Sequence, residues 1–183
     1  MSDDLAAEVS SAAEAAPGRP RLVLIGPMGA GKSRIGKRVS RLLDTDFIDT
    51  DKVVAAAHGP IPDLFATIGE AGFRALEREA VAAAFGRSAV VALGGGAVLD
   101  EKTQVDLVSL PVALLTITEQ AVESRLRSSG RPLLTDGIES WRRIYADRRS
   151  LYEKLATHTI DTSRRPIEHI AQDLASWVRE QEK

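Results

Sequence analysis

The chain has 183 residues, a formal net charge of −2, 44% hydrophobic and 27% charged residues, and no cysteine. That length suits one domain burying about 70% of its unfolded surface without cross-links. The missing cysteines exclude disulfides and thiol chemistry, the charge gives no basic field for nucleic acid, and no apolar run approaches a membrane span.

Residues 1–20 are rich in Ala, Ser and acids and lack the basic start and apolar core of a secretory signal. They predict a disordered tail on a cytoplasmic protein, with one folded domain over residues 21–183. An apolar run, Leu22 to Ile25, leads into Gly26-Pro27-Met28-Gly29-Ala30-Gly31-Lys32-Ser33, which fits G-x-x-x-x-G-K-[ST] at every fixed position. A helical pattern follows directly, with Ile35, Val39, Leu42 and Leu43 on one stripe. In a strand–loop–helix of this kind, backbone N–H groups and the helix N-terminus converge on a polyphosphate. Gly29, Ala30, Gly31, Lys32, Ser33 and Arg34 are therefore the candidate nucleotide-binding residues, for ATP or GTP. Lys32 supplies charge at the β- and γ-phosphates, and the Ser33 hydroxyl is a Mg²⁺ ligand.

A short strand at Phe47-Ile48 is followed by a helix starting at Val53-Val54 and stopping near Gly59-Pro60. Ile61, Leu64 and Phe65 predict a short helix, and Phe73 to Phe85 a longer one. Ala89 to Leu93 and Val112 to Ile117 read as strands covered on both faces, with a helical stretch at 100–108 between them. Residues 119–126 read as helix, 127–139 as loop and 140–156 as helix; Thr159-Ile160 is a strand, and Pro166 opens the last helix. This alternation predicts a parallel sheet of five strands with helices on both sides.

The segment Asp44 to Asp51 carries D-T-D twice. Ligands bind beyond the carboxyl ends of parallel strands, so Asp49 and Asp51, which follow Phe47-Ile48, are the functional pair. An extended backbone would point both into one cleft. Asp49 is the candidate for holding Mg²⁺ through a water, and Asp51 for orienting and deprotonating an acceptor hydroxyl.

Further along stand G-E-x-x-F-R at Gly69 to Arg74, Gly94-Gly95-Gly96 after a strand, R-P-L-L from Arg131, and Arg148 three residues before Leu151-Tyr152. In this order, over about residues 21–178, the set resembles the shikimate kinases. The resemblance implies a P-loop kinase of the nucleoside-monophosphate-kinase-like class, a three-layer α/β/α fold with a five-stranded parallel sheet and a mobile lid at about 127–139. It implies ATP and Mg²⁺ as cofactors and shikimate as the small-molecule partner; the chain is expected to be a monomer, with no nucleic acid or membrane partner. The activity implied is ATP-dependent phosphorylation of the 3-hydroxyl of shikimate, within aromatic amino acid biosynthesis.

By position, the resemblance gives acceptor contact to Asp51, carboxylate binding to Arg74 and Arg148, and backbone contact with substrate to Gly94, Gly95 and Gly96. It gives the lid arginine to Arg131, reaching the ATP phosphates, and the adenine neighbour to Arg165, with Arg164 as its alternative. Asp51, Lys32 and Arg131 are then the catalytic candidates. Arginine suits the carboxylate because its planar fork bonds it bidentately.

The chain departs from the pattern where Asp44 stands in place of a helix-ending glycine, where Ser150 replaces a proline, and where only three residues separate Arg127 from Arg131. His58, His158 and His169 lack metal-ligand spacing, and Trp141 and Trp177 read as packing residues. Two other readings suit a phosphate loop taken alone, a kinase for gluconate or a nucleoside monophosphate, and a non-catalytic nucleotide-binding relative. The G-E-x-x-F-R motif with Arg74 and Arg148 argues against both kinases.

Overall fold

The computed structural model describes residues 18–128 and 137–183, with residues 126–128 given by backbone alone. Most of the expected tail, and Gly130 and Arg131 of the expected lid, lie outside the described residues. The elements run β1 (Leu22–Ile25), α1 (Lys32–Leu42), β2 (Asp46–Asp49), α2 (Thr50–His58), α3 (Ile61–Phe85) and β3 (Ala89–Ala92). After a 3₁₀ turn at Ala97–Leu99 come α4 (Glu101–Leu107), β4 (Val112–Thr116), α5 (Glu119–Ser128), α6 (Ile138–Leu155), β5 (His158–Asp161) and α7 (Ile167–Gln181).

The five strands form one parallel sheet in the order β2-β3-β1-β4-β5. Alternate residues of the central strands feed opposite layers, as the two-residue period of a strand requires. Leu22, Leu24, Val90, Ala92, Ala113 and Leu115 pack toward α1 and α7, with Ile35, Val39, Ile170 and Leu174. Val23, Ile25, Val91, Leu93, Val112 and Leu114 pack on the other face with Val81, Ala84, Leu107 and Tyr152. A smaller cluster of Val54, Leu64, Phe73 and Ala80 holds α2 against α3. Edge strands β2 and β5 are only partly covered, so their apolar signal is short.

Because β1 pairs with both β3 and β4, the chain reverses its winding beside β1. That reversal opens a crevice at the carboxyl ends of β1 and β3, where such sheets bind ligands.

Several boundaries differ from the sequence expectation for local reasons. Helix α2 starts at Thr50 rather than Val53, because Asp49 caps it by accepting the Lys52 N–H at 3.3 Å. The extended backbone expected from Asp49 to Asp51 is thus replaced by a strand-to-helix corner. The two helices expected over residues 61–85 abut as α3, broken at Gly69, whose φ of 71° and ψ of 179° are not helical. Helices α5 and α6 take up the two ends of the expected 127–139 loop. Pro166 caps α7 from outside rather than opening its first turn.

Asp44 adopts φ 48° at the end of α1, in a Schellman-type ending where the Thr45 N–H donates to the Ser40 carbonyl at 3.0 Å. This left-handed conformation costs a residue with a Cβ about 1–2 kcal/mol, less for Asp. Glycine gives part of the gain back through its unfolded-state entropy. Asp44→Gly is expected to stabilise the fold by about 0.5–1 kcal/mol, raising the melting temperature by roughly 2 °C in a thermal scan; an unchanged or lower value counts against strain at this position.

Candidate active site

The loop after β1 turns through Gly26, Gly29 and Gly31, all at positive φ. Gly31, at φ 92°, precedes α1 and leaves the first N–H groups of that helix without side-chain caps. Lys32, the first residue of α1, folds back so that Nζ donates to the carbonyls of Gly26 (2.6 Å) and Pro27 (3.1 Å). Burial lowers Lys32 to about 8, against the opposing pull of Asp51 and Asp49.

Ser33 and Asp49 meet directly, the hydroxyl donating to Asp49 Oδ2 at 2.5 Å. Asp49 therefore caps α2 with one oxygen and engages Ser33 with the other. Both are hard oxygen donors of the kind that suits Mg²⁺. Among the described residues no three His, Cys, Asp or Glu side chains form a metal cage.

Thr50, fully buried, joins α2 to the glycine turn after β3: its hydroxyl accepts the Gly94 N–H at 3.1 Å and donates to the Ala92 carbonyl at 3.4 Å. One residue on, in the first turn of α2, Asp51 stands against Gly94, where any Cβ would collide with its carboxylate and that of Glu77. Burial pushes Asp51 up, Asp49 pushes it further, and Lys32 and Arg74 pull it back. Gly94 thus has a packing requirement as well as a backbone one.

On α3 the Arg74 guanidinium donates to Glu77 Oε2 at 2.6 Å and to Glu70 Oε1 at 3.4 Å. It leaves no room for a Cβ at Gly96. Phe73 and Phe65 meet beside it as a tilted pair with ring centroids 4.6 Å apart. Glu77 is 3% exposed; burial raises its carboxyl, and the bond to Arg74 opposes that rise. From α6, Arg148 reaches Gly95, and the Tyr152 hydroxyl donates to the Gly95 carbonyl at 2.5 Å.

These groups surround one cavity of about 790 Å³. Gly29, Gly31, Lys32, Ser33, Arg34, Asp49, Asp51, Gly95, Gly96 and Arg148 all line it. Arg74 and Gly94 stand behind that surface, against Gly96 and Asp51 respectively. Ala30 is buried under the loop. Arg165 turns onto α7 and pairs with Asp173 at 2.6 Å, and neither it nor Arg164 lines the cavity. At the other end Arg125 does line it, donating to the Gly29 carbonyl at 3.0 Å and to Thr162.

The sequence reading passed over Thr50, Glu77, Arg125, Tyr152 and Thr162. Glu77 had a usable signal, since it lies one helical turn beyond Arg74. Tyr152 marked a motif without receiving a role. Trp141, expected only to pack, also donates its indole N–H to the Met28 carbonyl at 2.9 Å. His158 stacks on Trp177 at 4.8 Å, away from the cavity.

Residues 28–179 match the family model for shikimate kinase. The shikimate kinase of Streptomyces coelicolor is 41% identical over 157 residues, covering 84% of this chain and 92% of that protein. That of Salinispora arenicola is 42% identical over 163 residues, covering 87% and 98%. Among solved structures, shikimate kinase from Acinetobacter baumannii in complex with shikimate superposes with a TM-score of 0.81 at 30% identity, over 89% of this chain and 94% of that one. A gluconokinase from Sinorhizobium meliloti, with a TM-score of 0.63 at 18% identity and coverage of 90% and 93%, shares the fold.

The lowered Lys32 sets a pH dependence for nucleotide binding. With burial lowering Lys32 to about 8, its ammonium is about half deprotonated at pH 8 in the free protein, whereas a bound triphosphate would favour the charged form. Binding must then take up protons around pH 8 and weaken as pH rises further. Calorimetric titration with ATP at pH 8, in two buffers of different ionisation enthalpy, should show uptake of roughly half a proton per site. No proton uptake would mean that Lys32 keeps its charge throughout.

Proposed function

This chain belongs to the shikimate kinase family, and we propose that it transfers the γ-phosphoryl group of ATP to the 3-hydroxyl of shikimate. The observation that carries this reading is a single cavity with the phosphate loop at one wall and Asp51 and Arg148 at another, with Arg74 behind Gly96.

Shikimate is a small carboxylic acid bearing several hydroxyls, and the site offers matching groups. Arg148 lines the cavity and Arg74 stands just behind Gly96; on this reading both guanidinium groups engage the carboxylate, each charged hydrogen bond contributing about 1.5–3 kcal/mol. Arg74 is held in place by Glu77 and Glu70. The same two carboxylates give it partial neutralisation before substrate arrives. The glycine turn lets substrate approach the backbone at Gly95 and Gly96, which a side chain would obstruct.

Phosphoryl transfer demands positioning and charge compensation more than covalent chemistry by the protein. Asp51 accepts a hydrogen bond from the acceptor hydroxyl and takes its proton as the oxygen attacks in line. Its raised basicity favours that role at neutral pH. Lys32 leaves the Gly26 and Pro27 carbonyls for the β- and γ-phosphate oxygens, offsetting charge as the γ-group moves. Ser33 and Asp49 would hold Mg²⁺, which supplies Lewis-acid screening of those oxygens. Arg131, outside the described residues, is assigned to the ATP phosphates by resemblance alone.

An ADP-release assay comparing shikimate with gluconate and nucleoside monophosphates tests the assignment; turnover with either rival and none with shikimate overturns it. Asp51→Asn is expected to lower kcat by roughly 10²–10⁴, and near-normal turnover would remove it as the base. Arg148→Ala should raise KM for shikimate by roughly tenfold or more while leaving KM for ATP within about twofold. A selective rise in the ATP value instead would place Arg148 on the nucleotide side.

A further inference from the structure

A glycine-rich phosphate loop needs something to aim its peptides. Peptide units are planar and trans, so the carbonyl of one residue and the N–H of the next point in opposite directions. Turning a carbonyl out of the cradle therefore turns the following N–H in. Three successive carbonyls of this loop are held by side chains from elsewhere in the chain. Trp141 donates to Met28 (2.9 Å), Arg125 to Gly29 (3.0 Å) and Thr162 to Ala30 (2.9 Å).

Trp141 stands apart among the three because its indole N–H serves the Met28 carbonyl, whereas the Thr162 hydroxyl is shared between the Ala30 and Thr116 carbonyls and Arg125 also reaches Thr162. The Met28 carbonyl shares its peptide with the Gly29 N–H, and Gly29 sits at φ 84° with no side chain to restrain it. Trp141 lies in the first turn of α6, is 4% exposed, and has its ring against Tyr145 at 5.1 Å between centroids. Its indole is thus fixed by burial, and its N–H meets the loop inside the cavity wall. A ring needed only to fill space at this position could be phenylalanine.

We infer that Trp141 is a positioning residue for the nucleotide: its indole N–H holds the Met28 carbonyl outward and so aims the Gly29 N–H at the incoming phosphates. The inference rests on the phosphate loop being the nucleotide site and does not require shikimate to be the acceptor.

Trp141→Phe keeps an aromatic ring against Tyr145 and removes the donor. It should raise the calorimetric Kd for ATP, and KM for ATP, by about five- to tenfold, the scale of one lost hydrogen bond. KM for shikimate and kcat should stay within about twofold. Unchanged ATP affinity in a protein that melts normally, or an equal rise in both KM values, overturns the role. If the variant does not fold, Trp177→Phe leaves Trp141 as the sole indole. Its emission should then change on ATP addition and not on shikimate addition; no response to saturating ATP also overturns the inference. Wild-type protein that binds ATP without turning over shikimate would defeat the activity assignment and leave the ATP titration valid.

Discussion

The hydrogen bond from Ser33 to Asp49 joins two parts of the chain that the sheet itself keeps apart. Strand β2 does not touch β1, since β3 lies between them. The bond therefore reaches from the helix after β1 to the corner after β2, over the end of the intervening strand. Thr50 then ties that corner to the turn after β3. Through these two contacts, the glycine loop after β1 and the Asp51 carboxylate share one frame. Phosphoryl transfer depends on such registration, because misplacement of about an ångström can cost a hundredfold in rate.

The same frame gathers charges that would be unfavourable singly. Lys32, Asp49, Asp51, Arg74, Glu77 and Arg148 lie close enough to influence one another, and burial acts against the charged form of Lys32, Asp51 and Glu77. Lys32 is held by backbone carbonyls and Glu77 by Arg74, while Asp51 feels the opposing charges of Lys32 and Arg74. A highly charged ligand can replace those internal partners without a large rearrangement of the surrounding groups, which is the benefit of preorganised electrostatics. The fold sustains this because its apolar layers are complete on both faces of the sheet and need nothing from the cleft.

Much of this arrangement is legible in the residue order. The phosphate loop, the buried strands and the choice of Asp49 and Asp51 over Asp44 and Asp46 all follow from local patterns and from the rule placing ligands at carboxyl strand ends. What escapes is mostly what side chains do to backbone at long range. Nothing local to Thr50 announces a bond to Gly94, 44 positions away. Trp141 reads as core because burial and a donated hydrogen bond look alike in sequence, and its partner is 113 residues distant. The α2 boundary escapes because an aspartate at a strand end reads as a metal ligand, while here Asp49 also caps the helix. Arg165 shows the reverse problem. Its motif position suggests the nucleotide, while its guanidinium is paired with Asp173 on the neighbouring helix.

The order of the sheet also bears on how the chain is made. Strand β1 leaves the ribosome first, yet both of its partners come later: it ends at Ile25, whereas β3 begins at Ala89 and β4 at Val112. At synthesis rates of about 5–20 residues per second, Leu22 to Ile25 must wait for roughly several seconds as an unpaired, fully apolar segment. The central strand of the finished sheet is thus made before either strand it pairs with, and its pairing closes only once most of the chain exists.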